Sequence, residues 1–150
     1  MTQSLPPKSL VLYADDDPDD IELIAEAFER HVRNVELVTF ENGQELLHYI
    51  QDIHPFQPAP CLIILDINMP RLDGKQTLKE LRNMDGFSDV PAVLFSTSTL
   101  PSDAAFARSF DAGFVTKPLL SEQVHIIIDQ IIEHCNDEVK KIIRKSNNGK

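Results

Sequence analysis

Tryptophan is absent from the 150-residue chain, and cysteine is scarce, with Cys61 and Cys135 the only two. Two cysteines rule out a disulfide-stapled scaffold, and Cys61, set in an apolar run, reads as a buried free thiol. Positive charge is also in short supply: 14 Lys and Arg stand against 24 Asp and Glu, a net −10. Five of the 14 (Lys140, Lys141, Arg144, Lys145 and Lys150) fall in the last twelve positions, so the remainder sets nine basic against 24 acidic side chains, a net −15. Such a body repels phosphate backbones, which argues against nucleic-acid binding and suits cations or basic protein partners. No segment approaches the ~18 uninterrupted apolar residues needed to span a bilayer. The residues before Leu10 hold one lysine and the Pro6-Pro7 pair where a signal peptide would need an apolar core. A cytoplasmic protein with no membrane contact is the expectation.

What is present is a regular alternation. Short aliphatic runs occur at Leu10 to Ala14, Val35 to Phe40, Leu62 to Leu65, Ala92 to Phe95 and Phe114 to Thr116. Most are apolar throughout, as strands covered on both faces are. Between them, Ile21, Ile24, Ala25 and Phe28 follow the spacing of one helical face. Further helices are expected over Gln44 to Ile50, Gln76 to Met84 and Ala104 to Phe110. A long last helix is expected from about Glu122 to Arg144, opened by Ser121. Five βα units predict one α/β, doubly wound, three-layer domain, with a five-stranded parallel sheet and right-handed crossovers. Residues 8–135 would form the domain and residues 136–150 a helical extension with a basic tail, solvated and frayed or else docking an acidic partner.

In such sheets ligands bind beyond the carboxyl ends of the strands. Reading the residues just after each run gives Asp15 and Asp16, then Asp66, then Ser96, then Lys117. Taken alone, Asp66 fits a turn as well as a site, and Ser96 to Thr99 could be a polar loop. Asp19 and Asp20 read as acids favoured in the first turn of a helix. Joint occurrence after four strands is what points to a pocket. Crowded carboxylates stay ionised only beside a cation, and all-oxygen ligands suit Mg²⁺. With a lysine and a hydroxyl nearby, the set fits formation and loss of an aspartyl phosphate.

Other motifs fail on missing parts. Asp15-x-Asp17-x-Asp19 imitates an EF-hand loop, but Asp20 stands where glycine is needed. Gly74-Lys75 lacks the rest of a phosphate-binding loop, and the five histidines show no ligand spacing. A haloacid-dehalogenase-type phosphatase would place a general acid two residues after its nucleophile, where this chain has Asn68.

The ordered stretches Val11-Leu-Tyr-Ala-Asp-Asp16, Ile63-Ile-Leu-Asp-Ile-Asn-Met-Pro70 with Asp73-Gly74, Ala92-Val-Leu-Phe-Ser96 and Lys117-Pro118 resemble the response-regulator receiver domain of two-component signalling, in its stand-alone CheY-like form. The resemblance implies strand order 2-1-3-4-5 and makes Asp66 the phosphoacceptor. It implies Mg²⁺ held by Asp15, Asp16, Asp66 and the Asn68 carbonyl, with Ser96 and Lys117 gathering around the phosphoryl group. Phe114 occupies the aromatic switch position, and Asn68 and Ser98 the two positions that tune phosphoryl lifetime. Ser96 replaces the commoner threonine, and Phe110-Asp-Ala-Gly-Phe114 is about one residue shorter than usual. The Asp15 to Asp20 loop resembles single-domain receivers, some paired with phytochrome kinases.

The implied partners are a sensor histidine kinase or histidine phosphotransfer protein and a downstream protein target, with the chain a monomer or weak homodimer. Switching would act on the surface of the fourth helix, fifth strand and fifth helix. With no output domain in the sequence, protein contact or onward phosphotransfer is the expected output. Such a chain is no enzyme beyond assisting its own phosphorylation and dephosphorylation. A phosphorylation-independent interaction module of the same fold is the alternative.

Overall fold

The computed structural model describes residues 8–53, 59–118 and 121–144. Its elements alternate as β1 (Ser9–Ala14), α1 (Pro18–His31), β2 (Val35–Phe40), α2 (Gly43–Ile53), β3 (Leu62–Asp66), α3 (Gly74–Arg82), β4 (Ala92–Ser96), α4 (Pro101–Ser109) and β5 (Gly113–Thr116). A 3₁₀ turn (Ser121–Gln123), α5 (Val124–Ile132) and α6 (Asp137–Ile143) complete them. The five strands are parallel and ordered β2-β1-β3-β4-β5, as the alternation and the resemblance predict.

Strand alternation divides the core. Val11, Tyr13, Leu62, Ile64, Val93 and Phe95 face α1, α5 and α6, while Leu12, Ala14, Ile63, Leu65 and Leu94 face α2, α3 and α4. All ten residues of β3 and β4 are buried, which explains their unbroken apolar character up to a final polar residue. Asp66 and Ser96 are those final residues, so the same strands that form the core's centre hold them out of bulk water.

Local chemistry fixes the helix starts near this edge. Asp17 caps α1 by accepting a bond from the Asp19 amide at 2.9 Å, with Pro18 at the first helical position. Asp73 and Gln76 form a capping box at the start of α3. Arg82, at the other end of α3, donates to the carbonyls of Phe110, Asp111, Phe87 and Val90 at 2.8 to 3.1 Å. It thereby ties down the short turn before β5, in which Asp111 takes a left-handed φ of 54°.

The end of the chain corrects the sequence expectation. A single helix from Glu122 to Arg144 does not form: α5 stops at Ile132, and Asn136 opens α6 by accepting from the Val139 amide at 3.0 Å. Asp137 and Glu138 follow in the first turn, where their charge favours the new start. The residue capping α5 is Gln123, without a side-chain cap bond, and not Ser121.

The basic stretch is docked as far as residue 144. Ile143 is wholly buried, worth ~2 kcal/mol, and the Arg33 amide bonds to its carbonyl at 2.8 Å. The acidic partners of Lys140 and Arg144 are this chain's own: Glu133 lies 3.3 and 3.1 Å from them, Asp137 3.3 Å from Lys140 and Asp129 3.8 Å from Arg144. Lys145 and Lys150 lie outside the described residues.

Candidate functional site

The carboxyl ends of β1, β3 and β5 deliver Asp15, Asp66 and Lys117 to one place. The carboxylates of Asp15, Asp16 and Asp66 lie within 4.8 Å of one another. Asp15 is fully buried, Asp66 nearly so, and Asp16 is exposed, so the cluster opens to solvent on the Asp16 side. Lys117 reaches in from β5 and sits 3.0 Å from Asp15, 3.3 Å from Asp66 and 2.8 Å from Asp20. Its amide bonds to the Ser96 carbonyl at 2.8 Å, which continues the β4–β5 pairing and aims the side chain at the cluster. Beneath it the ammonium lies 5.6 Å from the centre of the Phe95 ring.

Asp20 corrects the sequence reading. It is in the first turn of α1 as expected, yet its carboxylate also makes the shortest ion pair of Lys117. Tyr13 was also missed. Its hydroxyl donates to Asp15 at 2.6 Å, because residues two apart in a strand share a face. The amide of Asp17 donates to the other Asp15 oxygen at 2.9 Å, and these two bonds make a buried carboxylate tolerable. Burial, and then the Asp15 charge, push the Tyr13 phenol well above its usual range, so it remains a proton donor.

Charge balance in the cluster is uneven. Burial and the neighbouring Asp15 charge push Asp66 up to about 7, against the opposing pull of Lys117. Burial works against the charge on Lys117, but its bonds to Asp20 and Asp15 and the field of Asp66 outweigh that and hold its pKa above the ordinary lysine value. One ammonium therefore pairs with three carboxylates, and Asp16 adds a fourth to the cluster. A crowded, oxygen-only set with one solvent-facing member fits a hard divalent cation that keeps part of its water shell.

The remaining predicted residues surround this centre at different distances. Ser96 is buried at the end of β4, and its hydroxyl accepts from the Ser98 amide at 3.0 Å. Ser98 turns its own hydroxyl onto Asp103 of α4, and Asp103 pairs with Lys75 of α3 at 2.5 Å. That chain ties the β4–α4 loop to the start of α3, and neither Lys75 nor Asp103 was anticipated. Asn68 is exposed two residues beyond Asp66, with no hydrogen bond or ion pair to the cluster among the described residues. Phe114 is half-buried on the α4 side of the sheet with Phe106 and Phe110.

Fold and pocket together define a CheY-like doubly wound α/β domain. The family model of the response regulator receiver domain matches residues 11–129, and the chain belongs to that family, a component of two-component signalling. Response regulator Rcp1 of Synechocystis sp. is 30% identical over 98 residues, covering 64% of this chain and 66% of Rcp1. Protein PilG of Pseudomonas aeruginosa is 32% identical over 109 residues, 71% of this chain and 77% of PilG. Among solved structures, the phosphorylated cyanobacterial phytochrome response regulator RcpA superposes with a TM-score of 0.76 at 28% identity, covering 87% of this chain and 96% of that one. The Mn²⁺-bound form of Rcp1 gives the same TM-score at 20% identity over 92% and 99% of the two chains, a likeness of fold. No helix among the described residues is long and apolar enough to cross a membrane.

Proposed function

We propose that this domain is a cytoplasmic phosphorylation switch with Asp66 as the phosphoacceptor. The observation that carries the reading is the convergence of Asp15, Asp16 and Asp66 within 4.8 Å, with Lys117 3.3 Å from Asp66. A carboxylate oxygen of Asp66 attacks the phosphorus of a phosphohistidine, the P–N bond breaks, and the imidazole leaves with the electron pair. Asp15, Asp16, Asp66 and the Asn68 carbonyl would hold Mg²⁺, which supplies charge neutralisation for the incoming phosphoryl oxygens. Lys117 offers its ammonium to those oxygens, and Ser96 its hydroxyl.

The phosphodonor is a sensor histidine kinase or a histidine phosphotransfer protein. A phytochrome-type kinase is the first to try, given the acidic loop and the likeness to RcpA. The phosphorylated form biases the surface of α4, β5 and α5 toward a downstream protein target, or passes its phosphoryl group on. The chain acts as monomer or weak homodimer, and it turns over no substrate of its own. Asn68, in the place of a general acid, supports acceptor chemistry over steady phosphatase turnover.

Acetyl phosphate with Mg²⁺ is expected to add one phosphoryl group by intact mass, and Asp66→Asn to add none. No gain in the wild-type protein despite measurable Mg²⁺ binding would leave only the phosphorylation-independent module. Sustained hydrolysis of para-nitrophenyl phosphate would favour the phosphatase.

Lys117→Ala is expected to separate two steps. Removing the ammonium leaves the acidic cluster without its internal cation, so Mg²⁺ affinity should rise several-fold, and Asp66 should still be phosphorylated. What should vanish is the phosphorylation-induced change in amide exchange over residues 101–132. An unchanged exchange response in Lys117→Ala would remove that residue from the switch.

A further inference from the structure

The sheet edge opposite β5 is formed by β2, which pairs with β1 alone. The Ser9 amide bonds to the Asn34 carbonyl at 2.7 Å and the Asp15 amide to the Phe40 carbonyl at 3.0 Å, with an unbroken register between them. In a parallel ladder both polar groups of every second residue turn toward the same neighbour. Asn34, Glu36, Val38 and Phe40 therefore turn theirs to β1, while Val35, Leu37 and Thr39 turn theirs outward. Among the described residues no strand pairs with that outer edge.

The same three residues line a groove between β2 and α1, and Val35 and Leu37 also pack against the core there. The groove consists of two adjoining hollows of about 620 Å³ each, which share Ile21, Glu22 and Thr39. Its floor is apolar, built from Ile21, Ala25, Val35 and Leu37. Its rim is acidic. Exposed Glu22, Glu26 and Glu29 follow one another along α1, and Glu41 and Glu45 stand at the carboxyl end of β2. Lys8 is the one basic residue in the lining.

We propose that this edge receives an extended, basic segment of a partner protein, which pairs with β2 as a sixth strand. Charge selects the occupant: five glutamates against one lysine attract a basic chain. A second copy of this domain would bring an equally acidic edge. Open backbone groups select the conformation, since an added strand satisfies the outward N–H and C=O groups of Val35, Leu37 and Thr39.

The pleat then sets the side-chain pattern of the segment. On the α1 face, a lysine or arginine stem covers the apolar floor and its charged head reaches the glutamates. On the other face, alternate residues meet half-buried Val38, which belongs to the core on the α2 side. The segment therefore alternates basic and β-branched side chains. This surface shares no residue with the acidic cluster and lies across the sheet from β5, so it works independently of the phosphorylation of Asp66.

The test titrates the full chain, saturated with Mg²⁺, into a fluorescein-labelled, amidated peptide of four Lys-Val repeats. Anisotropy reads the affinity, and residue-resolved amide exchange reads the place. Saturable binding is expected, with exchange at Val35, Leu37 and Thr39 slowed about tenfold or more and little change at Glu36 and Val38, which β1 already protects. A triple variant, Glu22→Gln with Glu26→Gln and Glu29→Gln, should bind about tenfold more weakly and accept a phosphoryl group as before. The same peptide N-methylated throughout keeps its charge and loses every backbone donor, so it should lose binding.

The exchange and N-methyl readouts use the wild-type chain and stand whatever the triple variant does. Equal affinity for the N-methylated peptide would reduce the contact to charge attraction. Protection confined to other residues would place the peptide elsewhere, and no binding would remove the site. Outward amides already protected in the free chain would mean that a second copy or the chain's own ends cover the edge. Each of these results overturns the proposal.

Discussion

Gly74→Ala is expected to destabilise the domain by about 3 kcal/mol and to lower its phosphorylation yield together with its Mg²⁺ affinity. Gly74 opens α3 directly against the end of β3, and its amide bonds to the Ile67 carbonyl at 3.0 Å. A Cβ at this position would lie 2.3 Å from the Asp66 carbonyl oxygen and 2.9 Å from both the Asp66 carbonyl carbon and the Ile67 Cα. All three neighbours are backbone, so no rotamer change can relieve the contact. Either α3 lifts from the sheet or the Asp66 peptide shifts, and the second movement carries the acceptor carboxylate away from Asp15 and Lys117.

Gly113 provides the comparison. A Cβ there would lie 2.3 to 2.6 Å from atoms of the His134 ring, a side chain that can swing outward. Gly113→Ala should therefore cost less than half as much, and should leave phosphorylation of Asp66 unchanged. Urea denaturation of both variants, with phosphorylation by acetyl phosphate measured in parallel, checks the pair. Equal costs would show that the backbone clash is not the cause.

The elements that positioned this site were legible because their signals are local and redundant. Leu62 to Leu65 and Ala92 to Phe95 are apolar on both faces, which only a central strand tolerates, and each ends in one polar residue. What escaped notice depends on contacts across the sheet. Asp20 looked like any first-turn acid, and nothing in its spacing reveals that Lys117, 97 residues later, would reach it. Arg82 shows the same limit, since its four carbonyl partners come from two separate loops.

The broken last helix is a different case. Ile126 to Ile132 and Ile142-Ile143 keep a helical spacing that hides the interruption, although Asn136-Asp137-Glu138 carries a helix-start signature. Propensity favoured continuity, and the turn won because it buries both Cys135 and Ile143. Tyr13 was within reach of period-two reasoning: Tyr13 and Asp15 share a strand face, and a buried phenol needs an acceptor.

Asp66→Asn is expected to make the metal-free domain more stable at pH 8 by roughly 2 to 4 kcal/mol, an advantage that fades as the solution is acidified. In the folded protein Asp66 is held up to about 7, against an ordinary value of 3.8, by burial and then by the adjacent Asp15 charge. Between those two values the folded chain binds more protons at this group than the unfolded chain does. Wild-type stability from this group therefore falls as pH rises through the window. The cost is complete above about pH 7 and absent below about pH 4.

Asparagine carries no charge at any pH and keeps nearly the same shape, so it escapes that cost. Lys117 retains Asp15 and Asp20 as partners at 3.0 and 2.8 Å in the variant. Urea midpoints of both proteins from pH 4 to pH 8, with chelator present, should diverge upward from a common value. Saturating Mg²⁺ should then narrow the gap at pH 8, because a ligand bound only by the folded wild-type cluster stabilises it by mass action. A pH-independent difference would mean that the Asp66 charge is not what strains the apo fold, and that its neighbours already neutralise it.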